Sequence, residues 1–147
     1  MFHPYMIYQL NKDIRGRGVI RLLDFRMIQR SIESSGYTAI DLTGLVKEIV
    51  HSCRLREGLV TVYSPEEHVV ITLIEYEPSL LGDLEEFIRK HSERYEPVLE
   101  ALLGKSVTVP VVDGRLDLGA FKNIVMVDLS RKKGLKRVYF ALEGLYG

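Results

Sequence analysis

These 147 residues predict an α+β domain whose sheets are largely antiparallel. Runs rich in Val, Ile and Thr are joined by short turn signals, and Asp113-Gly114 is the strongest two-residue hairpin signal among them. Helical spacing is confined to two regions, so strands and helices do not alternate as a parallel βαβ sheet requires.

Residues 1–18 read as an N-terminal extension, polar and without a clear period, and residues 19–147 as one domain. Leu23, Phe25 and Met27 alternate with Asp24 and Arg26, the period of a half-buried strand. Ser34-Ser35-Gly36 punctuates, and Tyr37–Asp41 predicts a second strand in a hairpin with the first. Thr43 suits a helix N-cap, with Leu45, Val46, Ile49, Val50 and Cys53 along one helical face. On that stripe Cys53 reads as core packing, and Gly58 closes the connection that follows. Leu59–Tyr63 and His68–Tyr76 then predict the two strands of a hairpin around Ser64-Pro65-Glu66-Glu67.

Pro78 fits the first turn of a helix burying Leu80, Leu81, Leu84, Phe87 and Ile88. Tyr95, Val98, Leu99, Leu102 and Leu103 continue the helical spacing up to the stop at Gly104. Val107–Val112, Leu116–Leu118, Ile124–Leu129 and Arg137–Leu142 complete the strands, the last two flanking a turn at Arg131–Gly134.

Composition narrows the class. The length suits one domain with one core. Charges balance at 20 against 20, which argues against a general nucleic-acid coat protein. No apolar run is long enough for a membrane span, and charges at Asp13, Arg15 and Arg17 interrupt any signal-like segment. The single cysteine excludes an internal disulfide, so the expected location is cytoplasmic. Two Asn and two Gln beside abundant charge is a thermophile tendency. Residues 61–104 hold ten acidic and three basic groups between basic flanks, which reads either as a solvated helical face or as a patch for pairing between copies.

Several familiar signatures fail on spacing. Gly16-Arg17-Gly18 lacks the third Gly of a dinucleotide loop, and Gly104-Lys105-Ser106 runs from helix to strand, the reverse of a phosphate loop. His3, His51, His68 and His91 show no metal-pair spacing. The basic cluster Arg131, Lys132, Lys133, Lys136 and Arg137 lies at a predicted hairpin turn, where solvated charge is ordinary. Glu66, Glu67, His68, Glu75 and Glu77 form a denser set, able to serve acid–base work or a hard cation, or merely to solvate a turn. Alternation places Glu75 at the end of the apolar row Val69, Ile71 and Leu73, and His68 and Tyr76 on the opposite face.

Four stretches together resemble the YjbQ-like family, the secondary thiamine-phosphate synthases. They are Ile40–Thr43, Gly58–Tyr63, Glu75–Pro78 with Leu80, Leu81, Asp83 and Leu84, and Leu102–Gly119. The resemblance implies a mainly antiparallel β-sandwich with two or three helices packed on one side, assembled as a homotrimer. Glu75, Asp83, Gly114, Arg115 and Gly119 match the family's pattern. The His-Thr-Thr that follows the proline is replaced by Glu66-Glu67-His68, the Asn before the glutamate by Ile74, and the Trp-Gln by Phe121-Lys122. The histidine pair before Leu-Leu-Gly is missing, with Pro97 near the place of the second.

A glutamate does not replace a neutral imidazole ligand without changing charge and geometry. The expectation is therefore a fold retained and a chemistry lost: a homotrimer re-purposed for a small anionic ligand or for interaction, with no cofactor and no bound metal. Asp83, Gly114, Arg115 and Gly119 are its candidate ligand-binding residues. The alternative is an enzyme with a substituted site using Glu66, His68 and Glu75 as catalytic residues. Nucleic-acid binding through residues 131–137 is a distant third, and no membrane partner is expected.

Overall fold

Two sheets, not one, absorb the Val- and Ile-rich runs. The computed structural model describes residues 7–12, 18–75, 77–120 and 122–147, with side chains from residue 23 onward. His3, Arg15-Gly16-Arg17, Tyr76 and Phe121 lie outside the described residues. The strands are β1 (Ile7–Lys12), β2 (Gly18–Ser34), β3 (Thr38–Asp41), β4 (Leu55–Tyr63), β5 (Val69–Glu75), β6 (Ser106–Val112), β7 (Arg115–Leu116), β8 (Lys122–Asp128) and β9 (Gly134–Tyr146). The helices are α1 (Thr43–Cys53) and α2 (Pro78–Leu103). The large sheet runs β1-β2-β9-β4-β6-β7 and the small sheet β3-β8-β5, with every pair antiparallel. The extension thus contributes a strand, β1, at the edge of the large sheet.

Three expected hairpins do not form. β2 pairs with β9 and β3 with β8, β4 and β5 lie in different sheets, and so do β8 and β9. Each of these short connectors carries the chain from one sheet to the other. Turn residues specify a reversal of the chain, and a reversal serves a crossover between layers as well as a hairpin. The Asp113-Gly114 hairpin does form, between β6 and β7, and both residues have the positive φ, 51° and 76°, that its turn type requires.

The small sheet is covered on both faces. Val69, Ile71, Ile124 and Met126 pack toward Val60, Val62, Val138, Phe140 and Leu142 of the large sheet. Val70, Val125, Val127 and Leu129 pack with Ile88 of α2. Burial is therefore continuous at the start of β5 and through most of β8 instead of alternating. Each fully buried Val or Leu contributes roughly 1.5–3 kcal/mol relative to exposure.

At α1 the N-cap position is Leu42, and Thr43 is the first helical residue, which corrects the expected cap. Asp41 Oδ1 accepts the Thr43 N–H at 2.8 Å, while Thr43 Oγ1 accepts the Ile124 N–H at 2.9 Å, so the threonine fastens the helix to β8. Cys53 is half-buried against the core, and Arg54 ends the helix with a left-handed φ of 59°.

Gly58 lies inside β4, not at its start, opposite Gly144 of β9. A Cβ on Gly58 would stand 2.0 Å from the Glu143 carbonyl oxygen, and one on Gly144 2.1 Å from that of Glu57. The two central strands approach so closely there that both positions require glycine.

α2 begins at Pro78 and is kinked at Tyr95 (φ −115°, ψ 15°), two residues before Pro97. Leu81, Leu84, Ile88, Leu99 and Leu103 face the small sheet. Leu80, Phe87, Tyr95, Val98 and Leu102 are exposed, contrary to the expected helix faces, because the sheet beneath is only three strands wide. Among the described residues, no helix is long and apolar enough to cross a membrane.

One buried polar knot joins the layers. Asp128, at the end of β8, is fully buried; its Oδ2 accepts Ser34 Oγ at 2.6 Å and lies 3.7 Å from Lys136 Nζ. Its Oδ1 accepts the N–H and Oγ of Ser130 at 3.0 and 2.8 Å.

Candidate functional site

The connection from β4 to β5 meets the last turns of α2. His68 stands before β5 in a left-handed conformation (φ 69°), so it is not on the strand face that alternation assigned to it. Its Nδ1 faces Glu96 Oε1 directly and lies 3.8 Å from Glu100 Oε2, while Nε2 is 3.3 Å from Glu67. Glu96 and Glu100 lie one turn apart just past the α2 kink, spacing that puts both carboxylates on one face. The spacing was visible in the sequence; the kink that aims it at His68 was not.

Lys105 closes this cluster from below. Its Nζ donates to the carbonyls of Glu66 and Val69, both at 2.5 Å, and is 3.2 Å from Glu100. With its protons directed at these three oxygens, the lysine ties the β4–β5 connection to the end of α2 and has none left for a phosphate.

One ligand atom from each of His68, Glu96 and Glu100 lies within 4.8 Å of the others. One imidazole and two carboxylates can hold a divalent cation or relay a proton. Here Lys105 already offsets Glu100, while His68 Nδ1 and Glu96 Oε1 are buried against each other, neither with a hydrogen-bond partner among the described residues.

The other two candidate catalytic residues lie elsewhere in their own pairs. Glu66 Oε2 accepts both the backbone N–H and Nε–H of Arg137 at 3.0 Å. The backbone N–H, then the guanidinium, of Arg137 hold the Glu66 carboxyl below the ordinary carboxylate range. Because the folded state favours the ionised form, this pair stabilises the fold above the ordinary glutamate range and stops doing so as pH falls through the depressed value. Glu66→Gln is expected to lower stability at pH 7 by about 1 kcal/mol, a figure reduced for surface screening, and to leave the deficit smaller at acid pH. Denaturant titrations of both proteins at several pH values check this; a deficit that grows toward acid overturns it.

Glu75 is exposed, 3.6 Å from Lys122 across the strand pair, and not the half-buried carboxylate expected. Burial fades along β5, and by its last residue the strand has passed beyond its covering layers. The seven residues of β5 put Glu75 about 20 Å from His68. Glu66, His68 and Glu75 therefore do not form one constellation within a protomer.

The retained family positions also scatter. Asp83 is exposed on α2, and Gly119 lies in the loop before β8. Gly114 and Arg115 do meet other functional groups, at the far end of β4. Gly114 borders a cavity of about 290 Å³ with His51, Arg54 and Arg56, and a neighbouring one of about 330 Å³ with Lys47 and Arg115. Lys47, His51 and Arg54 recur at helical spacing on α1, a periodic basic signal that sequence reasoning passed over.

The basic stretch after β8 is a crossover between sheets, not a hairpin turn. Arg131 is 3.8 Å from Glu93, Lys136 contacts Asp128, and Arg137 contacts Glu66. Among the described residues only Lys132 and Lys133 of this stretch form no ion pair.

Comparison with known proteins fits this geometry. The family described as UPF0047 protein YjbQ-like matches residues 29–144. A UPF0047 protein of Archaeoglobus fulgidus is 33% identical, covering 70% of this chain and 90% of that protein. One from Methanothermobacter thermautotrophicus is 27% identical over 71% of this chain and 82% of its own length. A YbjQ-like protein of unknown function from Sulfolobus solfataricus superimposes with a TM-score of 0.74 at 18% identity, covering 83% of this chain and 99% of that one. A hypothetical protein of Aeropyrum pernix does so at 0.72 with 24% identity, over 80% and 97%. At such identities the solved structures establish the fold, which is the α+β, mainly antiparallel fold the sequence predicted. With its profile matched from β2 to β9, the chain belongs to the UPF0047, YjbQ-like family.

Proposed function

We propose that this chain is a homotrimeric binding protein in which thiamine-phosphate synthase chemistry has been lost. The observation that carries the reading is the dispersal of Glu66, His68 and Glu75: Glu66 is paired with Arg137 and Glu75 with Lys122, while His68 stands against Glu96 and Glu100. Catalytic groups must converge on one reacting centre, and these do not.

Self-association is supported by the outer face of the large sheet. Met27, Leu59, Tyr63 and Val112 are exposed there. A largely apolar groove of about 610 Å³ runs beside Leu23, Phe25, Gly58, Leu59 and Gly144. An apolar sheet face of this kind is what a subunit contact covers. The acidic segment 61–104 between basic flanks adds complementary charge for packing copies together.

Light scattering at micromolar concentration is expected to give three times the 16.8 kDa chain mass, and the monomer mass would refute the trimer. A direct thiamine-phosphate assay is expected to show no turnover. Turnover lost in both His68→Ala and Glu75→Gln would mean that the site was rebuilt across subunits and would overturn the loss of chemistry.

A further inference from the structure

Basic side chains in this protein are commonly neutralised: Arg26, Lys90, Lys105, Lys122, Lys136 and Arg137 each lie within 4 Å of a carboxylate. Lys47, His51, Arg54, Arg56 and Arg115 do not. They form no ion pair and no side-chain hydrogen bond with any described residue, yet they line two cavities that share Val50 and Gly114 as a common border. Four to five like charges thus share one concave surface although the chain as a whole is neutral. Such a concentration of charge raises the free energy of the empty site and lowers it when an anion enters.

We infer that these adjoining cavities form a binding site for a small polyanion carrying two or more phosphate groups. Three arginines dominate, and the planar guanidinium donates two parallel hydrogen bonds to phosphate oxygens. They come from different elements: Arg54 ends α1, Arg56 is the second residue of β4, and Arg115 opens β7, with His51 and Lys47 one and two turns earlier on α1. Cations fixed on separate rigid elements suit a multiply charged ligand better than a single orthophosphate.

The turn between β6 and β7 builds the partition. The Gly114 N–H donates to the Arg56 carbonyl at 2.9 Å, and a Cβ on Gly114 would stand 3.1 Å from Arg56 Nη1. Glycine there lets the guanidinium lie across the turn. Val50, Leu55 and Leu116 provide an apolar floor. Of the nearby acids, Glu57 Oε1 accepts the Asp113 backbone N–H at 3.1 Å, which leaves both carboxylates charged beside the turn, and Gly147 also lines the first cavity.

The site stands at the opposite end of β4 from the His68 cluster, about 25 Å away along nine residues of strand. From the proposed function it takes only that the chain binds a ligand. Failure here would leave the oligomer mass and the synthase assay unchanged, so the two readings fail separately.

Calorimetric titration with inorganic pyrophosphate and with tripolyphosphate, at low and at physiological ionic strength, tests the inference. Expected are saturable binding with one site per chain, tripolyphosphate the tighter, and a loss of about tenfold or more in each of Arg54→Gln, Arg56→Gln and Arg115→Gln. These side chains are exposed, so the variants should melt with the parent. Lys132→Gln combined with Lys133→Gln should bind as the parent does. No saturable binding, or an equal loss in the Lys132/Lys133 variant, overturns the inference. A single-stranded oligonucleotide that binds more tightly than tripolyphosphate through the same arginines would make the patch a nucleic-acid surface and equally overturn it.

Discussion

Replacing Asp128 by alanine is expected to cost on the order of 3–5 kcal/mol, lowering the melting temperature by about 10–15 °C. The carboxylate is fully buried and serves three hydrogen-bond donors as well as Lys136. Its removal strands the Ser34 hydroxyl, the Ser130 N–H and hydroxyl, and an ammonium group whose side chain is only 12% exposed. An unpaired buried charge is the costliest of these. Asp128→Asn retains shape and one acceptor, so it should fall between the parent and Asp128→Ala. Thermal and denaturant unfolding of the three proteins decides the matter. A loss under about 1 kcal/mol for the alanine variant would show that the network is not what joins the ends of β2 and β8.

Gly58→Ala should be comparably severe, about 3 kcal/mol or more, for a different reason. Its methyl group would meet backbone, the carbonyl oxygen of Glu143 at 2.0 Å, and backbone in the middle of a sheet has no rotamer with which to yield. The β4–β9 ladder must part locally or shift. Gly82→Ala is the matched control. Gly82 lies in α2 with nothing within 4 Å of its Cβ position, so alanine there should stabilise by about 0.5–1 kcal/mol through helix propensity. If the two variants unfold at the same midpoint, the close approach of β4 to β9 is not real.

The elements were largely legible in the sequence, and their partners largely were not. Val46, Ile49 and Val50 marked α1 by period alone, and Asp113-Gly114 marked its hairpin because I′ turns demand particular residues. Ser34-Ser35-Gly36, Ser64–Glu67 and Arg131–Gly134 marked true reversals, but a polar reversal carries no mark of the sheet that receives the next strand. The doubly covered small sheet also erased the alternation from which the faces of His68 and Glu75 were inferred. Of the candidate site, His68 was visible as an imidazole among acids. Glu96 and Glu100 were not, because their aim depends on a bend near Pro97 whose direction is a matter of packing. In the basic pocket, Lys47, His51, Arg54 and Arg56 lie within ten residues of one another, but Arg115 joins them only when the β6–β7 turn folds over the end of α1.

The pairing of β2 with β9 sets a condition on how the chain is made. Ser34 meets Gly134 and Asp24 meets Gly144, so an early strand waits for one of the last. On the ribosome, a nascent chain that has not yet released residues 134–146 holds β2 and β4 with their facing edges open, since β9 is the strand that lies between them. Closure over such long sequence separations makes refolding slow and leaves a window for strand exchange between neighbouring chains. Dilute, cool refolding should therefore recover more native protein than concentrated refolding, and a chain cut before Gly134 should aggregate, not fold to a smaller domain.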